Sequence, residues 1–122
     1  MESIERTSVS VQHLVGRDLQ MFVGNGAALE SRKMTVGIAN YSASAGRMEP
    51  HHHAEETIYI LDAENAWVRF GPAPADLPNR IDLKSGLILH IPDSEWHVFE
   101  WSDGGHAEAL VIYGQVDEIP RG

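Results

Sequence analysis

Gly46-Arg47-Met48-Glu49-Pro50-His51-His52-His53-Ala54-Glu55-Glu56-Thr57-Ile58-Tyr59-Ile60-Leu61 places three imidazoles and two carboxylates directly before a run rich in β-branched and aromatic residues. Extended backbone sends alternate side chains to one face, so His51 and His53 can point together while His52 points away. Two imidazoles on one face can share a cation. Imidazole and carboxylate suit iron, manganese, cobalt, nickel or zinc, and a chain without cysteine has no thiolate site. Calcium is not favoured by this donor set.

Working outward, Gly86-Leu87-Ile88-Leu89-His90-Ile91-Pro92-Asp93-Ser94-Glu95-Trp96-His97 contains a Pro-Asp-Ser turn signal that delivers His97 at the start of the next apolar run. His97 is the candidate closing ligand. Short apolar runs cover the chain: 19–23, 34–41, 57–61, 66–70, 80–83, 87–91, 96–101 and 109–113. Turn-forming clusters such as Gly24-Asn25-Gly26, Asp62-Ala63-Glu64-Asn65 and Ser102-Asp103-Gly104-Gly105 separate them. Many short strands at this spacing predict an all-β sandwich or barrel. A short turn around Val11 to Arg17 is the nearest approach to a helical pattern.

These two stretches together resemble the cupin superfamily, whose first motif runs G-x5-H-x-H-x3-4-E-x6-G and whose second runs G-x5-P-x-G-x2-H-x3-N. The resemblance extends from Tyr41 to Tyr113. The second motif fits Gly86, Pro92 and His97, with Ser94 in place of its glycine and Trp101 in place of its asparagine. In the first motif, four residues separate Gly46 from His51, two separate His53 from Glu56, and Ala63 replaces the closing glycine. The usual three-residue gap before Glu56 would select His52 and then Pro50, which cannot bind; His51 and His53 with a shortened turn is the better assignment.

The resemblance implies a double-stranded β-helix (jelly-roll) barrel over residues 1–122, with the first motif at 46–63 and the second at 86–101. It also implies one divalent transition metal ion per chain, held by His51, His53, Glu56 and His97. Glu55 is the substitute carboxylate if the register moves by one. Homodimers are common in the family, and a homodimer is expected here.

The length of 122 residues suits one domain with one core. A net charge of -9 argues against nucleic acid or an anionic membrane as partner, because phosphate recognition needs a positive field. A small molecule is the expected partner. Met1-Glu2-Ser3-Ile4-Glu5-Arg6 lacks the features of a signal peptide, no apolar run approaches a membrane span, and the absence of cysteine agrees with a cytoplasmic location.

If His97 faces inward, Phe99 and Trp101 share its face and line a pocket; if Glu56 faces inward, Ile58 and Ile60 join it. Bulges near the motif can shift this by one. Arg47 and Arg69 are candidates for holding a substrate carboxylate, or else for surface ion pairs. Tyr41 and Tyr59 can supply a phenol or simply pack. His13, His90 and His106 read as surface or packing residues. The proline-rich segment from Gly71 to Asn79 is a loop, either gating the pocket or joining two hairpins.

Three neutral imidazoles and one carboxylate around a divalent ion give a net charge of about +1 and, for a six-coordinate ion, two open positions. That centre favours an anionic chelator: a hydroxy acid, keto acid, enediol or catechol-like oxygen pair. The expected function is a metal-dependent enzyme (oxygenase, lyase, decarboxylase or isomerase) acting on a small polar organic acid or sugar-derived molecule. A non-catalytic ligand- or metal-binding module is the competing class. A metal-free barrel using histidine as acid and base is a third.

Overall fold

Alternating apolar and polar residues drive nearly all of the chain into strands. The computed structural model describes residues 1–114. Its strands are β1 (Gln12–Leu14), β2 (Arg17–Gly24), β3 (Leu29–Glu30), β4 (Met34–Ser42), β5 (Glu56–Gly71), β6 (Asn79–Asp82), β7 (Ile88–Ile91) and β8 (Trp96–Gly114). Single 3-10 turns occur at Arg6–Ser8 and Ala43–Ala45. The strand order is β1-β2-β4-β8-β5-β6, with β7 added beside β5 and β3 running parallel to the end of β2. Among the described residues no helix is long and apolar enough to cross a membrane.

Strands β5 and β8 organise the barrel. They pair antiparallel from Glu56 opposite Tyr113 to Gly71 opposite Trp96, with register shifts after Ile60 and after Glu64. At the second shift Asn65 has φ 50° and Gly104, in the facing segment, has φ 76°. Bulges of this kind bend a ribbon sharply. One half of the ribbon therefore borders β4 and β7, while the other borders β6 and the backbone of His51. The halves meet across the interior, where Tyr41 of β4 stacks on Phe99 of β8 with ring centroids 4.5 Å apart.

Two readings of the sequence change here and a third gains detail. The runs 57–61 and 66–70 are parts of one strand, as are 96–101 and 109–113, because the polar residues between them stay paired through bulges. The segment around Val11 to Arg17 is a hairpin, with Leu14 facing Arg17 across its turn, and has no helical character. The Gly71–Asn79 loop is partly closed by a bridge between Ala73 and Asp76.

The core follows the period of two. On β5, Ile58 and Ile60 are fully buried while Tyr59 is exposed; on β8, Ala107, Ala109, Val111 and Tyr113 alternate with half-buried neighbours. Burying a side chain the size of Val, Leu or Ile contributes about 1.5–3 kcal/mol. The same alternation points Glu56, His97 and Arg17 inward among these apolar residues.

Candidate metal centre

Backbone pairing brings the histidines together. The His51 and His97 backbones form an antiparallel bridge, setting their rings 4.4 Å apart. Two residues on, His53 stands with its ring 5.0 Å from His97 and 5.3 Å from His51. Each of the three offers one ring nitrogen, and these atoms all lie within 4.8 Å of one another. His52 turns away and packs beside Trp96.

Backbone carbonyls determine which nitrogen is free. His51 Nδ1 lies 3.2 Å from the Glu49 oxygen, His53 Nδ1 2.9 Å from Ala54 and His97 Nδ1 2.9 Å from Glu95. A carbonyl only accepts, so each Nδ1 carries the hydrogen and each Nε2 presents a lone pair. The Nε2 atoms of His53 and His97 are buried without a hydrogen-bond partner. An orphaned buried polar atom costs about 1–3 kcal/mol, a cost that a bound cation would remove.

Glu56, 3 % exposed, points its Oε1 to within 3.5 Å of His53 Nε2 and 3.9 Å of His97 Nε2. Metal bonds of about 2.1 Å at tetrahedral angles put neighbouring donors about 3.4 Å apart, so this spacing fits atoms facing one ion. The donor set therefore fits a divalent transition metal. Glu56 stands outside the mutually close group formed by the three imidazoles. Glu55 is exposed and pairs with His90 at 2.5 Å.

Electrostatics keep the imidazoles neutral. Burial, reinforced by the neighbouring rings and by Arg17, lowers His51 to about 3 and His97 to about 4, and lowers His53 as well. Burial pushes Glu56 up to about 7, with the Tyr113 hydroxyl and the charge of Arg17 pulling the other way. Tyr113 and Tyr41 both titrate above the usual phenol range, because burial and the Glu56 charge disfavour phenolate.

The remaining candidates divide. Phe99 is buried beside His97, with ring centroids 6.3 Å apart, and Trp101 packs partly buried on the same side. A cavity of about 490 Å³ adjoins them, lined by Arg47, Met48, Trp67 and Glu100 among others. Tyr41 reaches the interior through its stack on Phe99. Arg69 does not join this group: its guanidinium grips both Glu100 oxygens at 2.6 and 2.9 Å. His13 and His106 pair with Asp18 and Asp62 at the surface. Sequence reasoning missed Tyr113 and Arg17. The available signal for Arg17 was its parity with Leu19 and Met21, which placed a cation on the apolar face of a strand.

No protein-family model and no curated protein matches the chain. Solved structures do. The polyketide cyclase RemF from Streptomyces resistomycificus superposes with a TM-score of 0.75 at 21 % identity, over 98 % of this chain and 82 % of that one. The DMSP lyase DddQ from Ruegeria pomeroyi DSS-3 gives 0.72 at 17 % identity, over 93 % of this chain and 60 % of its own length. An RmlC-like cupin from Shewanella frigidimarina NCIMB 400 gives 0.68 at 13 % identity, over 92 % and 88 %. The bent β5–β8 ribbon, the interior it encloses and these superpositions agree: the chain has the fold of the cupin structures it resembles.

Proposed function

We propose that the chain is a metal-dependent cupin enzyme acting on a small polar organic acid or sugar-derived molecule, with a divalent transition metal held by His51, His53, Glu56 and His97. The observation that carries this reading is the cluster of ring nitrogens within 4.8 Å of one another, with each Nδ1 tied to a backbone carbonyl. The similar structures include a polyketide cyclase and a DMSP lyase, both named for reactions on small molecules. When bound, the ion supplies Lewis-acid polarisation of a chelated oxygen and, if it is iron, redox chemistry.

The protein's own part is positioning and proton control. Carbonyls of Glu49, Ala54 and Glu95 hold the imidazoles in one tautomer and orientation. Tyr113 keeps its phenolic proton and directs it at the Glu56 carboxylate. Phe99, beside His97, and Met48 give the adjoining cavity an apolar lining, and Arg47 in the same lining can attract an anion. A cytoplasmic homodimer belongs to the same proposal; exposed Tyr59 and Ile88, cross-strand neighbours on β5 and β7, supply an outer apolar patch for it.

Elemental analysis of untagged protein tests the reading. About one chelator-removable transition metal ion per chain is expected, and protein with no metal and no affinity for one would overturn it. Water-proton relaxation of the Mn(II)-loaded protein separates enzyme from closed module: an enzyme needs exchangeable water on the ion, whereas a structural site excludes it.

A further inference from the structure

Arg17 begins β2 and shares its inward face with Leu19 and Met21. It is 4 % exposed, its NH1 nitrogen is buried without a hydrogen bond, and it makes no ion pair among the described residues. The backbone fixes it there. Gly16, at φ 91°, donates its N–H to the Ala45 oxygen at 2.9 Å, and a Cβ on Gly16 would lie 2.8 Å from the Met48 Cα. The start of β2 is thus pressed against the segment that leads into His51.

The guanidinium faces the same interior as the histidines. Its charge acts on Glu56, Tyr41 and Tyr113, and on His51, His53 and His97. A buried cation without a partner is strongly unfavourable, and an apolar side chain of similar volume would serve the fold better. Glu56 does not neutralise it by contact, since its carboxylate is directed at His53 and His97. With a divalent ion, three neutral imidazoles, Glu56 and Arg17, the interior carries about +2. A ligand with two negative charges would balance it, and the partly exposed His51 and His53 mark the side open to it.

We propose that Arg17 anchors a second anionic group of the ligand. The preferred ligand is then a small dicarboxylate with a hydroxyl or oxo group beside one carboxylate: that end meets the metal and the far carboxylate meets the Arg17 guanidinium. This inference rests on the metal-centre reading above and narrows its substrate class.

Calorimetric titration of the Zn(II)-loaded chain with malate and with lactate tests it, because the two share a 2-hydroxy carboxylate and differ in the second carboxylate. Malate is expected to bind at least about tenfold more tightly than lactate, the size of a charge-assisted bidentate contact. Arg17→Met should remove that preference and leave lactate affinity and zinc content unchanged. Should Arg17→Met fail to fold, Arg17→Lys decides, with the preference narrowed at least about threefold by loss of the planar fork. An undiminished preference in the variant that folds overturns the anchor. So does equal binding of malate and lactate by zinc-loaded wild type. Failure of the wild type to take up zinc is the distinct result that overturns the metal centre, and the anchor with it.

Discussion

The amide of His51 donates to the carbonyl of His97 at 3.0 Å, and the amide of His97 donates back to His51 at 2.9 Å. This reciprocal pair joins the segment before β5 to the start of β8. Two imidazoles that are distant in sequence thereby acquire the same position along neighbouring extended segments, with a ring separation of 4.4 Å. The metal-centre reading predicts that this pairing is needed for binding as well as for folding.

Removing the His97 ring should therefore abolish metal binding. For His97→Ala the expected loss in affinity exceeds about a hundredfold, more than the loss of an outer-shell partner usually costs. His52→Ala, at a ring directed toward Trp96, should leave affinity within a few-fold of wild type. Competitive titration with a chromophoric chelator measures both. Full occupancy in His97→Ala would refute the ligand assignment.

Glu56 and Glu55 make a comparative test. Glu56 is buried beside His53 and His97, while Glu55 is exposed and paired with His90. Glu56→Ala should weaken metal binding by about ten- to a hundredfold and Glu55→Ala hardly at all. The reverse order, read in the same chelator competition, would transfer the carboxylate role to Glu55.

Acid should destabilise the metal-free protein through its histidines. His51 falls to about 3 and His97 to about 4 in the folded state, against about 6.5 when unfolded, so the unfolded chain binds more protons in between. The stability associated with the neutral rings is complete above pH about 6.5 and is lost as pH falls toward 4. Glu56, raised to about 7, works in the opposite direction between about 4.5 and 7, but as one group against two or more. Melting temperature should therefore rise from pH 4.5 to 6.5. A flat or falling profile in that range would contradict the buried, neutral assignment.

Metal affinity should follow a different titration. His51 and His97 are neutral well below pH 6 and His53 is shifted in the same direction, so the proton that competes with the ion near neutrality is the one on Glu56, near pH 7. Affinity is expected to rise through that region with the slope of a single proton, and Glu56→Gln should flatten the rise. A slope of three protons would mean that the rings titrate normally.

Phe99 links the centre to the core. It is 2 % exposed, stacks on Tyr41 at 4.5 Å and stands beside His97. Phe99→Ala should cost about 3–5 kcal/mol in chemical denaturation, the usual cost of emptying an aromatic position in a core. A cost below about 1 kcal/mol would show that the barrel closes without this stack.

Much of the fold could be read locally. The run 34–41 became β4 and the run 87–91 became β7 to within a residue, because each has the period of a strand bounded by turn chemistry. The breaks at Asp62–Asn65 and Ser102–Gly105 could not be read in this way. Turn-forming residues also populate bulges, and only the facing strand determines whether the chain reverses or bends. Arg69 illustrates the same limit for side chains: its parity with Trp67 puts it on the face where Glu100 waits, a partner that appears only once β5 and β8 align.

The sequence by itself determined the all-β character, the common direction of His51 and His53, and the absence of thiolate ligands, since each follows from residue type and the two-residue repeat of a strand. Tertiary structure alone decided that the rings of His51, His53 and His97 meet beside Glu56, and that Arg17 lies buried in the same interior. Both depend on which strands pair and where the β5–β8 ribbon bends, which are long-range choices that no local pattern encodes.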